Sequence, residues 1–93
     1  MDTKILATFL KVVELKNFLR VSEELNYAPS TITTQIKNLE EELGAPVFDR
    51  IGKKVQLTSF GEDFLPYASK IVAMHQEYFE AIDIQMKISI VPD

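Results

Sequence analysis

The apolar positions of this chain fall into helical stripes separated by short polar breaks. Between Thr3 and Leu15, Ile5, Leu6, Phe9, Leu10 and Val13 recur at three- and four-residue steps, while Lys4, Lys11 and Glu14 lie outside the stripe. Asp2 or Thr3 supplies an oxygen to cap the start of this first helix. Lys16-Asn17 interrupts it, and Asn17 stands at the N-cap of a short second helix, Phe18 to Leu25. There Phe18, Val21, Ser22 and Leu25 share a face; Arg20, Glu23 and Glu24 point elsewhere. Asn26-Tyr27-Ala28 leaves room only for a turn. Pro29 then opens a third helix, where its missing N–H is no loss. Ile32, Ile36, Leu39 and Leu43 form its apolar stripe, and Gly44 suits a left-handed C-cap. Its other side carries Ser30, Thr33, Thr34, Lys37 and Glu41, neutral to basic early and acidic late.

Pro46 prevents the third helix from continuing. Val47-Phe48, Arg50, Gly52-Lys53-Lys54 and Val55-Gln56-Leu57 read as a small hairpin with a basic tip. A long last helix starts near Thr58 or Ser59, with Ser59 and Glu62 as its capping box. Two seams run along it at coiled-coil spacing. One is Phe60, Phe64, Tyr67, Ile71, Met74, Tyr78 and Ala81; the other is Leu65, Ala68, Val72, His75, Phe79 and Ile82. Pro66, inside the helix, is expected to bend it or loosen a turn. Beyond about Asp83, the run from Ile84 to Val91 alternates like a strand without a sheet.

Composition narrows the class. At 93 residues the chain is one domain with at most an appended element, and its core is modest in size. With 46 % hydrophobic residues it is a folded protein. No apolar run approaches the roughly 18 residues that span a bilayer, and Met1-Asp2-Thr3-Lys4 does not open a signal peptide. The absence of cysteine excludes disulfides and thiolate metal sites, and one histidine argues against structural zinc. The expectation is a cytoplasmic protein without metal or other cofactor. There is no Gly-rich phosphate loop and no nucleophile–base–acid set, so an enzyme is not expected.

Two short helices joined by a tight turn, followed by a basic hairpin, form the layout of a winged helix-turn-helix. The fold class expected is mainly α: three helices plus a short β-hairpin wing, then a long linker helix. In such a layout the second helix of the pair enters the major groove of DNA. Thr33 and Thr34 offer hydroxyls and methyls to base edges, and Lys37 reaches guanine or a phosphate. Ser30 lies in the first turn, where the helix dipole favours a phosphate. Lys53 and Lys54 in the wing suit the DNA backbone or minor groove.

At this point the sequence resembles the LysR-type transcriptional regulators. The resemblance is carried by Phe9, Asn17-Phe18, Leu25, the run from Gln35 to Gly44, Pro46, Phe48-Asp49-Arg50 and the run from Leu57 to Glu62. Leu65-Pro66-Tyr67-Ala68 also fits. It implies a DNA-binding domain over residues 1–58, a linker helix over 59–83 that pairs two subunits, and, over 84–93, the start of a truncated effector domain or a tail. A ligand-sensing domain normally follows in the family, so an effector ligand is expected only in a longer chain. Pro29, Ser30, Thr33, Thr34 and Lys53 are the DNA-contacting positions that the resemblance implies. Phe64, Ala68, Ile71, Val72, His75, Tyr78, Phe79 and Ile82 are the expected dimer contacts. The family often has serine, glutamine and proline where this chain has Ala28, Pro29 and Ser30, and arginine at Thr34. Ala28 has no side-chain oxygen to cap the third helix, a loss of around 1 kcal/mol.

The net charge of −4 speaks against nucleic acid only until the charges are placed. Arg20, Lys37, Arg50, Lys53 and Lys54 can gather on one face with the hydroxyls of the third helix. The acids concentrate elsewhere, at Glu40-Glu41-Glu42 and along the linker helix. Arg50 has two readings, a phosphate clamp or an ion pair with an acid such as Asp49. The three consecutive glutamates point in different directions and read as solvated face rather than a metal site. His75, in an apolar seam with no second ligand at helical spacing, reads as structural and dimer-facing. The expected function is therefore a homodimeric, sequence-specific regulator bound to double-stranded DNA in the bacterial nucleoid. The alternative is a protein-interaction module or truncated decoy without specific DNA binding of its own.

Overall fold

A computed structural model describes the backbone of residues 1–51 and 54–89, with side chains as far as residue 78. Along the chain come α1 (Thr3–Leu15), α2 (Phe18–Leu25), α3 (Pro29–Leu43), β1 (Phe48–Ile51), β2 (Lys54–Leu57) and α4 (Ser59–Ser89). The expected winged helix-turn-helix with its long appended helix is present.

Local chemistry sets the helix ends. The Asp2 carboxylate accepts from the Ile5 N–H at 2.9 Å, and the Asn17 side-chain oxygen accepts from the Arg20 N–H at 3.0 Å. Lys16 and Asn26 turn left-handed, with φ of 56° and 58°, and so stop α1 and α2. Ala28 provides no side-chain cap; its carbonyl instead accepts from Thr31 and Ile32 N–H at 2.9 and 3.3 Å, and Pro29 presets the first turn. Gly44, at φ 81°, closes α3 with its N–H on the Glu40 carbonyl.

An aromatic chain ties these elements together. Phe9 of α1 is fully buried and lies 5.3 Å from both Phe48 of β1 and Phe64 of α4, centroid to centroid. Phe18 of α2 meets Phe48 edge-on at 6.3 Å. Burying Phe9 contributes about 1.5–3 kcal/mol, and each ring pair adds about 0.5–1.5 kcal/mol. Val12, Val21, Ile32, Leu39 and Val47 are also wholly buried in this core. The two strands pair antiparallel in the register Phe48 with Leu57 through Ile51 with Lys54.

Four expectations change. The residue capping α4 is Thr58, not Ser59: its hydroxyl oxygen accepts from the Gly61 N–H at 2.9 Å while its proton goes to the Pro46 carbonyl at 2.7 Å. Ser59 is already the first helical residue, so no Ser59–Glu62 box forms. Second, α4 runs on to Ser89 where a strand-like alternation was read from Ile84 onwards. Extending a helix that already exists adds one hydrogen bond per residue, whereas a strand needs a partner, and none pairs with this stretch among the described residues. Residues 90 and 91, the end of that reading, lie outside the described part. Third, Glu40 is not solvated face. It is half-buried, and its Oε2 accepts from the Val47 N–H at 2.7 Å and, more weakly, the Phe48 N–H at 3.4 Å. Fourth, three of the expected dimer contacts on α4 are turned at least partly inward. Phe64, Ala68 and Val72 pack into the chain's own core, whereas Phe60, Tyr67, Ile71, Met74 and Tyr78 are exposed.

Candidate nucleic-acid interface

Helix α3 buries Ile32, Ile36 and Leu39 and turns Pro29, Ser30, Thr33, Thr34 and Lys37 outwards. This division follows from the 3.6-residue repeat, which returns the apolar stripe to the core every third or fourth position. The Thr33 hydroxyl donates to the Pro29 carbonyl at 3.3 Å, a long bond that leaves its oxygen free to accept. Behind the helix, the buried Thr8 hydroxyl donates to Gln35 Oε1 at 2.7 Å and thereby ties α3 to α1. Sequence reading missed Thr8. Its signal was position, since it lies between Leu6 and Phe9 on the buried side of α1.

Strand β1 adds the cation. Successive strand residues face opposite ways, so Arg50 emerges on the side of buried Phe48 and Asp49 on the other. The guanidinium lies over the Phe18 ring, 4.4 Å from its centroid. Of the two readings of Arg50, the ion pair with Asp49 is not formed, and no carboxylate pairs with Arg50 among the described residues. Thr33, Lys37 and Arg50 are brought together around a groove of about 310 Å³ between α2, α3 and β1, floored by Phe18, Ile36 and Phe48. Glu40 also reaches this groove, with one oxygen taken by the wing amides.

Other predicted residues are placed separately. Lys54 is exposed on β2 opposite Ile51, outside the groove. Lys53 lies outside the described residues, as do the side chains of Phe79 and Ile82. Arg20 is exposed on α2. Of the expected dimer contacts, Ala68 is fully buried within the chain, and Phe64 and Val72 are half-buried beside it. Ile71, His75 and Tyr78 are exposed on α4.

Some of the charge elsewhere is engaged in ion pairs. The N-terminal ammonium pairs with Glu42 at 2.6 Å. Lys11 pairs with Glu24 of α2 at 3.1 Å and with Glu14 at 3.2 Å, and those hydrogen bonds, Glu24 first, raise its pKa above the usual lysine value. Among the described residues, no group of three potential metal ligands converges, and no helix is long and apolar enough to cross a membrane.

Known proteins share this fold. Residues 3–62 match the family described as bacterial regulatory helix-turn-helix protein, lysR family. The chain is 48 % identical over 77 residues to YwqM of Bacillus subtilis (strain 168), an uncharacterized HTH-type transcriptional regulator; the match covers 83 % of this chain and 26 % of YwqM. Its fold superposes on DarR of Vibrio fischeri in complex with DNA with a TM-score of 0.88 at 27 % identity, covering 95 % of this chain and 30 % of DarR. The complex of the CbnR DBD with DNA gives 0.84 at 26 % identity, covering 92 % of this chain and 99 % of that one. The chain thus spans about a quarter of the length of the curated relative it resembles.

Proposed function

The chain belongs to the lysR family of bacterial regulatory helix-turn-helix proteins, and from that premise we propose that it is the DNA-binding region of a transcriptional regulator. Residues 1–58 bind double-stranded DNA, with α3 in the major groove and the wing along the backbone. Residues 59–83 pair two copies through the exposed row of α4. The region acts by binding, not catalysis, in the cytoplasm where the nucleoid lies, and effector sensing belongs to the remainder of a full-length regulator.

The observation that carries this reading is the joint exposure of Thr33 and Lys37 beside Arg50, around one groove, with Ser30 and Thr34 on the same outward side of α3. The hydroxyl and methyl of Thr34 suit base edges, whereas Lys37 and Arg50 suit phosphates. The exposed apolar row from Phe60 to Tyr78 is the kind of surface that soluble monomers seldom leave open.

The test is a set of binding isotherms at several salt concentrations, on a duplex selected by the protein from a random pool and on unselected duplexes. Thr34→Ala is expected to change base preference at one position by about 1–3 kcal/mol. Lys54→Ala is expected to weaken all sequences nearly alike and to flatten the log–log salt slope by roughly 0.9 per phosphate lost. Absence of salt-dependent duplex binding by the parent protein overturns the reading. The net charge of −4 would then favour the protein-interaction alternative.

A further inference from the structure

We propose that Phe18 is a positioning residue for DNA binding: its ring holds the Arg50 guanidinium at the α2–α3–β1 groove, where Arg50, Lys37 and Thr33 together seat one backbone phosphate. This rests on the DNA-binding reading above and adds to it a role for Phe18, which spacing alone assigns to the shared apolar face of α2.

The geometry supplies the reasons. Phe48 anchors one side of Phe18 edge-on at 6.3 Å, and the Arg50 guanidinium lies 4.4 Å from the Phe18 centroid. Phe18 is half-buried against the core, so the ring is a fixed platform rather than a swinging one. A guanidinium attracted to a ring face through the aromatic quadrupole keeps all five N–H donors for another acceptor. Its charge is not neutralised, because no carboxylate pairs with it among the described residues. Glu40, the acid that lines the groove, has an oxygen engaged by the Val47 and Phe48 N–H groups. The groove therefore offers two cations and a hydroxyl, with the Glu40 carboxylate tethered to the wing backbone through one oxygen. A tetrahedral anion with several acceptor oxygens matches that set, and on duplex DNA that anion is the backbone phosphate. Fixing the long arginine side chain beforehand removes an ordering loss that would otherwise fall at the moment of contact.

The experiment replaces Phe18 site-specifically with a ring-trifluorinated phenylalanine, which keeps the shape and weakens the quadrupole. Phe18→Tyr and Phe18→Leu accompany it, each alone and with Arg50→Gln, and all are titrated against the selected duplex at several salt concentrations. Circular dichroism checks folding; should Phe18→Leu unfold, the fluorinated protein carries the test. Phe18→Tyr is expected to bind like the parent, and the fluorinated ring to lose about two- to fivefold in affinity for each copy of the site engaged. That loss is expected to vanish in the Arg50→Gln background, which marks the two side chains as coupled. Arg50→Gln itself should flatten the salt slope by roughly 0.9 per site. Parent-like binding by the fluorinated protein, or an equal loss with and without Arg50, overturns the proposal. If the parent binds DNA and Thr34→Ala shifts its base preference while the Phe18 series stays flat, this inference alone falls. If the parent binds no duplex, both readings fall.

Discussion

The Oε2 atom of Glu40 accepts a hydrogen bond from the Val47 N–H at 2.7 Å, joining the last turns of α3 to the base of the wing. Val47 is wholly buried, so removing the acceptor strands a backbone donor in a poorly hydrated place. Glu40→Ala is expected to destabilise the fold by about 1–3 kcal/mol, and Glu40→Gln, which retains an acceptor, by less than about 1 kcal/mol. Urea unfolding of the two variants and the parent checks this. Equal losses would mean that the charge matters rather than the hydrogen bond.

Gly61, in the first turn of α4, lies against the Val47 backbone and the Leu57 side chain. A Cβ there would lie 2.2 Å from the Val47 carbonyl oxygen and 2.9 Å from Leu57 Cδ2. Backbone cannot yield as a side chain can, so Gly61→Ala is expected to cost at least about 1–3 kcal/mol. Gly44→Ala meets no neighbour within 4 Å and pays only for its φ of +81°, about 1–2 kcal/mol. Thermal unfolding of both, with α4 helicity followed in parallel, separates steric strain from conformational strain.

Lys11 makes a pH-dependent contribution of defined sign. Its pKa is raised in the folded protein by the hydrogen bonds to Glu24 and Glu14. A raised folded pKa means that folding favours the protonated lysine. The contribution is therefore fully present below the ordinary lysine value of 10.5 and is lost as pH rises through the higher folded value. The stability gap between the parent and Lys11→Met, measured from about pH 9 to about pH 12, is expected to narrow towards the alkaline end. A constant gap would assign the effect to the lysine's methylene stem.

Ile71 tests the exposed row of α4. It is 43 % exposed, and Tyr67 and Met74, one turn away on either side, are 65 % and 67 % exposed. Because Ile71 stands outside the buried core, Ile71→Asp is expected to leave the fold intact and convert the proposed dimer to a monomer. Sedimentation equilibrium reads the outcome. An unchanged dimer would place the subunit contact elsewhere.

The helix ends were legible because each is written locally: a carboxylate at Asp2, an amide at Asn17, a proline at Pro29 and a glycine at Gly44 act on backbone groups within a few residues. The outward face of α3 was legible for a related reason, since periodicity separates Thr33 from Ile32 without any knowledge of partners. What the sequence concealed depends on residues far apart in the chain. Thr8 meets Gln35 across 27 positions, and Glu40 meets Val47 only after the chain has turned at Gly44 and Ala45. Arg50 looked equally suited to Asp49 or a phosphate until the pleat of β1 placed those two residues on opposite faces. Thr58 and Ser59 are chemically alike as caps, and only the Pro46 carbonyl waiting opposite distinguishes them. The seams of α4 were visible as stripes, but which of their residues turn inward depends on where α1 lies.

Thr58 holds the Pro46 carbonyl through its hydroxyl and the Val47 carbonyl through its N–H, while Glu40 grips the Val47 amide from the other side. Two residues of backbone are thus clamped between α3 and α4, and the joint between these two helices behaves as a weld. In a two-fold assembly built on α4, each α3 would then inherit its position from the crossing of the pairing helices, like the points of a pair of dividers set at the hinge. The span between DNA half-sites would follow from that one angle. Changing the preferred span would therefore require repacking the α4 pair, and lengthening the polar turns within either copy would leave it unaltered.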